Sequence, residues 1–250
     1  LKHLLVHGIV LFSNVPKEKG QFEILARTLG HLHTTHEGSG IFQLYPKKNA
    51  GIIGQMAVEL GLHTDHSPLQ FPAQVVGLHA LSQPFEGGEN IFCDGFRVAE
   101  LMEIEKPDIY KILCEENLEY VGWGVQNYRY FHARRTPIFR VNPKTQKVAS
   151  IAFTDEHRSQ YFDDFEKIPK IIKAIKTFLD YCYQSRNLLK RKLQPGEAVL
   201  FLNQRLLHGR ETFKEEPENP RVIEGCDFAL DVITSKIRVL EELQAKQEII

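Results

Sequence analysis

Two histidines and an aspartate fall within four positions, His63-Thr64-Asp65-His66, between Gly61 and Pro68. In an extended backbone side chains alternate, so His63 and Asp65 share one face while Thr64 and His66 take the other. An imidazole nitrogen and a carboxylate oxygen on one face make a two-point chelate for a divalent metal. Two histidines and one carboxylate on one face of an octahedron form the facial triad of non-haem iron oxygenases, which leaves the opposite face open for substrate and oxygen. The pair alone is equally a polar loop, so a third ligand far along the chain decides. Among 11 histidines, His208 stands out because it closes a strongly apolar run and is followed at once by Gly209 and Arg210. Spacing alone favours a strand-end histidine bound to a backbone carbonyl there. His79 lies inside an apolar run and reads as a hydrogen-bonded core histidine.

The elements that would carry these residues are mostly short strands. Residues 7–12 and 73–81 read as apolar strands, and "PFEGGEN", 84–90, as a turn in which Gly87 and Gly88 permit positive φ. "IFCDGF" continues as strand, and residues 97–117 read as helix with a break at Pro107. Residues 18–32 have helical spacing with a stop at Gly30, and 138–153 read as two strands joined around "NPKTQ". From Ile168 to Cys182 the apolar residues form a single helical stripe, which is core packing. Residues 193–210 read as a turn and one strand, 221–233 as another strand, and the remainder as a polar helix. Strands outnumber helices, so the expected fold is mainly β with flanking helices around a jelly-roll or sandwich core.

Composition narrows the function classes. Hydrophobic content is 42% and charged content 25%, ordinary for a globular chain. The formal net charge of −1 supplies no basic surface for nucleic acid. No apolar run approaches the roughly 18 residues that cross a bilayer. The four cysteines form no CxxC pair, which argues against a zinc finger and for a reducing setting. The chain does not begin with methionine and reads as one catalytic domain, 1–250, of a longer protein.

Three ordered motifs carry a specific resemblance: "LHTDHSP", then "GGENIFCDGF", then "FLNQRLLHGRETF". They are similar to the γ-butyrobetaine hydroxylase and trimethyllysine dioxygenase family, within the wider taurine dioxygenase superfamily. The likeness runs from about residue 1 to residue 240, and the family's small N-terminal metal-binding module has no counterpart in it. It implies a double-stranded β-helix, the jelly roll, holding Fe(II) on His63, Asp65 and His208. It implies 2-oxoglutarate as cosubstrate, O2 as oxidant and ascorbate as reductant. The chemistry implied is hydroxylation of an aliphatic carbon in a small betaine or amino-acid-like zwitterion, as in carnitine biosynthesis.

The family's cosubstrate arginine matches Arg221, which opens an apolar strand ahead of "EG". A planar guanidinium holds a carboxylate by two parallel hydrogen bonds, which lysine does not. Arg210 is the fallback for that task. Asn90 stands where relatives carry Ser or Thr after the double glycine and is the matching cosubstrate contact. Asp94, Gly95 and Phe96 are expected to shape the wall beside the iron. In 36–62, where relatives place an aromatic cage for a trimethylammonium group, this chain offers Phe42 and Tyr45. Arg221, Ile223, Gly225 and Asp227 alternate along one strand, so Asp227 is expected near the cosubstrate, where relatives have a tyrosine. A carboxylate there suits an ammonium with N–H groups to donate. Two rivals are a relative acting on another amino acid or an aminophosphonate, and a catalytically silent β-helix that binds a ligand. The partners expected are small molecules, with no nucleic acid and no membrane. A homodimer is allowed. A cytoplasmic setting is expected, with a mitochondrial one as the alternative.

Overall fold

The computed structural model describes residues 1–35, 38–47, 50, 52–125 and 129–247. Helix α1 (Lys2–His7) is turned into strand β1 (Ile9–Phe12) by Gly8 at φ 78°. Helix α2 (Gln21–Leu29) buries Phe22 and Ala26 and stops at Gly30. Strands β2 (Thr34–Thr35), β3 (Gly38–Ser39) and β4 (Phe42–Leu44) follow, then a 3₁₀ turn at Ile53–Gln55 and β5 (Leu60–His63). Next come β6 (Val75–Ser82) and β7 (Asn90–Asp94). Asp94 caps helix α3 (Gly95–Glu105), accepting a 3.1 Å hydrogen bond from Phe96 N. Helix α4 (Pro107–Glu115) starts on Pro107, where the missing N–H has no helical partner to lose.

Strands β8 (Leu118–Val125) and β9 (Arg129–Thr136) pair as a ribbon, as do β10 (Phe139–Val141) and β11 (Val148–Ile151). Helix α5 (Ile168–Cys182) precedes β12 (Leu188–Arg191), β13 (Ala198–Leu202), β14 (Leu206–Arg210) and β15 (Val222–Phe228). Helix α6 (Leu230–Gln247) ends the described chain.

Two antiparallel sheets make the jelly roll. One has the order β1-β13-β6-β15-β4 and the other β12-β7-β14-β5. Leu78, Phe92, Val199, Phe201 and Ile223 pack in one cluster contributed by both sheets. Leu4, Phe22, Val75, Leu200 and Phe228 form a second cluster with α1, α2 and α6. Ile91, Cys93 and Leu207 pack with α3 and α5 in a third. Neighbouring residues such as Val75 and Val76, or Val199 and Leu200, therefore fall in different clusters, and both faces of a strand are buried. That is why "AQVVGLHAL" and "AVLFL" are continuous apolar runs instead of alternating ones.

Three expectations are corrected. Residues 193–210 hold two strands, β13 and β14, because the tripeptide 203–205 makes a tight turn between them. The strand after the double glycine stops at Asp94, whose carboxylate starts a helix. The strand over 221–233 ends at Phe228 and passes into α6. The β8–β9 ribbon and β12 had no expectation. Glycines in β8, charges in β9 and the brevity and exposure of β12 hide them among polar residues.

Candidate metal centre

Strands β5 and β14 lie side by side, with His63 directly opposite His208. Asp65 follows β5 in a turn. His63 Nε2 lies 3.2 Å from Asp65 Oδ1, and His208 Nε2 lies 3.4 Å from Asp65 Oδ2. One donor atom from each residue falls within 4.8 Å of the others. The His208 ring is held between two others, 4.3 Å from His63 and 4.6 Å from Phe201. Burial alone would raise the Asp65 carboxyl, but the imidazoles of His208 and His63 outweigh it and hold it well below the usual carboxylate range. Burial lowers His208. Burial also opposes protonation of His63, yet the hydrogen bond and charge of Asp65 raise it.

Local backbone features aim these side chains. The β5–β14 register jumps, so that Arg210 pairs with Leu60 and both Gly61 and Leu62 stand in a bulge. The bulge turns the Gly61 carbonyl to His63 Nδ1 at 2.8 Å, which places a proton on Nδ1 and aims Nε2 at Asp65. Leu62 N, freed from the ladder, donates to the Tyr183 hydroxyl at 2.9 Å. Gly209 has no room for a side chain, since a Cβ would stand 2.5 Å from Leu60 O. Thr64 faces away, as alternation requires, and its Oγ1 accepts from Phe153 N at 3.0 Å. Two imidazoles with available nitrogens and one half-buried carboxylate are a donor set that suits a divalent first-row metal.

The three donors open onto a cavity of about 180 Å³. Arg221, Arg210, Asn90 and Phe42 line it, together with His66, Tyr130, His132, Glu156 and His157. Arg221 is 4% exposed and has no ion-pair partner among the described residues. Its Nε is buried without a hydrogen bond. Burial and the charge of Arg210 push its guanidinium down to about 9. Arg210 is also buried, but its N–H groups go to the carbonyls of Gly54 (3.3 Å), Met56 (2.8 Å) and Val58. It anchors the segment ahead of β5. Both guanidinium groups lie by the Phe213 ring, Arg210 at 4.8 Å and Arg221 at 5.9 Å. Asn90 is 3% exposed, with its Oδ1 buried and without a hydrogen bond.

Several residues sit elsewhere than the sequence suggested. His66 lines the cavity because its φ of 59° breaks the alternation that would turn it away. Its Nδ1 lies 3.9 Å from Asp227 Oδ2. Asp227 is buried on β15 behind His66 and does not itself line the cavity. Phe42 packs against the backbone of Gly225, where a Cβ would meet its ring at 2.2 Å. Tyr45 lies outside the cavity and stacks under Lys47. Asp94, Gly95 and Phe96 do not line the cavity either. Asp94 grips Arg205 of the β13–β14 turn, with Nη2 at 2.7 Å, and so ties α3 to the sheet. His79 is a fully buried core histidine, stacked on Phe22, but the expected hydrogen bond is not made among the described residues: both ring nitrogens are buried without a hydrogen-bond partner, Nδ1 standing 3.9 Å from Glu224. Sequence reasoning missed Tyr130, His132, Glu156 and His157. An i, i+2 pairing of Tyr130 with His132 was the available signal.

The family model described as "Taurine catabolism dioxygenase TauD, TfdA family" matches residues 1–226. The chain is 28% identical over 236 residues to human gamma-butyrobetaine dioxygenase, covering 94% of this chain and 60% of that one. It is 25% identical over 244 residues to the mitochondrial trimethyllysine dioxygenase of Gallus gallus, covering 96% of this chain and 57% of that one. This chain therefore spans about 60% of the length of such curated relatives. Among solved structures, the non-heme iron oxygenase OrfP in complex with Fe and alpha-ketoglutaric acid superposes with a TM-score of 0.66 at 13% identity, covering 91% of this chain and 76% of that one.

Proposed function

Because the chain belongs to the taurine catabolism dioxygenase TauD, TfdA family, we propose that it is an Fe(II)- and 2-oxoglutarate-dependent dioxygenase that hydroxylates an aliphatic carbon of a small zwitterion with a cationic nitrogen. One observation carries the reading. A half-buried two-histidine, one-carboxylate donor set and a buried arginine with no carboxylate of its own among the described residues share a single cavity.

His63, Asp65 and His208 would hold the iron. When bound, it supplies the oxidising chemistry, coupling O2 and the decarboxylation of 2-oxoglutarate to succinate and CO2, with ascorbate maintaining the ferrous state. Arg221 would grip the distal carboxylate of 2-oxoglutarate through its planar fork. Its neighbour Arg210 adds a second positive charge close by, so this part of the cavity favours a dianion over a neutral ligand. Asn90 would add one hydrogen bond through its amide. Burial keeps water from competing for these groups, which strengthens each of them.

The substrate would lie against the wall formed by the 65–69 turn, the β8–β9 ribbon and residues 154–157. The names of the human and chicken relatives indicate γ-butyrobetaine and trimethyllysine as their substrates. That class, met in carnitine biosynthesis, is the starting point here. A second reading has a specific support in Asp227, a buried carboxylate behind His66. Its charge would reach the substrate through His66, which lines the cavity, and so would favour an ammonium that can donate hydrogen bonds over a quaternary one, as in an amino acid. Small molecules are then the only partners, with no nucleic acid and no membrane. Among the described residues no helix is long and apolar enough to cross one. A homodimer and a cytoplasmic or mitochondrial setting fit the same reading, and light scattering and cell fractionation test them.

The deciding assay measures succinate released from 2-oxoglutarate with Fe(II), ascorbate and a panel of betaines and amino acids. Substrate-stimulated succinate is expected. Protein that binds metal yet yields no succinate with or without any panel member overturns the proposal.

A further inference from the structure

We infer that Asn203 is a positioning residue of the metal centre, a clamp on the backbone of Asp65 that sets where its carboxylate stands. The inference rests on the metal reading above. Asn203 is fully buried, in the turn between β13 and β14. Its Oδ1 accepts from Asp65 N at 2.8 Å, and its Nδ2 donates to Asp65 O at 3.1 Å and to Ala73 O at 2.8 Å. Its own backbone N donates to Gln74 O at 2.9 Å. A flipped amide would set its NH2 against the Asp65 N–H and its oxygen against two carbonyls, so one orientation alone satisfies all three contacts.

The need for such a clamp follows from the local backbone. Strand β5 ends at His63, and His66 takes a φ of 59°. Asp65 therefore sits where the chain leaves the ladder, between a strand and a left-handed residue. Asn203 takes both its N–H and its C=O, as a neighbouring strand would. The same turn leads directly into β14, which carries His208. The amide thereby ties the carboxylate ligand to the strand of a histidine ligand, without touching either donor atom. Arg205, two residues on, turns the other way and binds Asp94. The Asn-x-Arg spacing of this turn thus divides its work between the ligand loop and helix α3.

The test uses Co(II) as an air-stable probe of the whole protein. Its dissociation constant and visible ligand-field spectrum are measured for wild type, Asn203→Asp and Asn203→Ala, alongside thermal unfolding of the metal-free forms. Asn203→Asp keeps the size and the acceptor but loses both donations. Its added negative charge would by Coulomb attraction alone tighten cation binding. Weakening therefore reports lost positioning. The expected result is about 10–100-fold weaker Co(II) binding in both variants, with an altered spectrum. Val98→Ala, a buried cavity variant in α3, supplies a destabilised control that should bind Co(II) within about twofold of wild type. If Asn203→Ala does not fold, the isosteric Asn203→Asp carries the test. Wild-type affinity and spectrum in Asn203→Asp, or a loss no greater than that of Val98→Ala, overturns the inference. Wild-type protein that binds no Co(II) overturns the metal reading and this clamp with it.

Discussion

Replacing Arg221 by methionine should move stability and cosubstrate binding in opposite directions. The guanidinium is buried, lacks a carboxylate among the described residues and is pushed down to about 9 by burial and by Arg210. Holding it charged at neutral pH costs the metal-free fold roughly 5 kcal/mol, at about 1.4 kcal/mol for each pH unit of displacement from 12.5. Methionine has similar reach and no charge, and swapping a buried ionic group for an apolar one is often neutral or stabilising by about 1–4 kcal/mol. The metal-free Arg221→Met protein should therefore melt no lower than wild type and up to several degrees higher, at about 2–4 °C per kcal/mol for a chain of this size. Binding should suffer the reverse. Two charge-assisted hydrogen bonds are each worth about 1.5–3 kcal/mol, so losing both should weaken 2-oxoglutarate by more than about 100-fold. Arg221→Lys keeps the charge and loses the fork, and should fall between. The assay is a thermal-shift titration with 2-oxoglutarate on metal-loaded protein without oxygen. Unchanged 2-oxoglutarate affinity in Arg221→Met, or a drop of many degrees in its metal-free melting point, refutes the assignment. In that case the arginine is a structural member of the core.

Asp65→Ala removes the only anionic donor of the set, so metal affinity should fall by more than about 100-fold, read by Co(II) titration, and turnover should vanish. Tyr183→Phe deletes one hydroxyl and strands the Leu62 N–H beside the Gly61 bulge. Leaving that group unpaired should cost about 1–3 kcal/mol, seen as a lower melting temperature, together with a weaker grip on metal as His63 loses its orientation. For Asp227, wild type should turn over an unmethylated amine faster than its trimethyl analogue, and Asp227→Tyr should shift that preference toward the betaine. Efficient turnover of γ-butyrobetaine, left unchanged by Asp227→Ala, would show that Asp227 only supports His66.

The parts of the site legible in the sequence are those where chemistry dictates residue type. A metal face needs imidazoles and a carboxylate, and a carboxylate grip needs an arginine, so His63 and Asp65 could be singled out by type and spacing, and His208 and Arg221 through the family resemblance. The fold brings all four to one cavity. What escaped were groups acting through the backbone over long separations. Asn203 serves Asp65 across 138 positions, and Tyr183 serves Leu62 across 121. Neither has a local pattern that reveals its partner. His66 was misplaced for a different reason. Alternation is a property of extended chain, and one residue at positive φ cancels it. The central strands β6, β7, β13 and β15 were legible as apolar runs because both their faces are covered. The β8–β9 ribbon was not, because its outer face leaves Trp123 and Phe131 exposed and glycines dilute its inner one.

The electrostatics of the cavity explain why one small molecule would suit both of its charged groups. At the metal centre, burial would by itself protonate Asp65, and two imidazoles prevent it. That leaves a carboxylate charge beside the ring nitrogens of two imidazoles, with donor atoms within 4.8 Å of one another. Around Arg221 the imbalance has the other sign, because two buried guanidinium groups lie by one aromatic ring and the second is committed to backbone carbonyls. The imidazoles already stabilise the Asp65 charge, whereas the Arg221 charge meets no carboxylate among the described residues and raises the energy of the metal-free fold. A divalent cation relieves the first and a carboxylate relieves the second. A 2-oxo acid with a distal carboxylate would answer both at once, with its keto-acid end toward a metal held by His63, Asp65 and His208 and its far end toward Arg221. Metal and cosubstrate should then each tighten the other, because a chelate lost from one end leaves the other charge buried and unmatched. Binding of 2-oxoglutarate measured with and without Co(II) gives that coupling directly. Equal affinities in the two titrations would show that the two groups serve separate ligands.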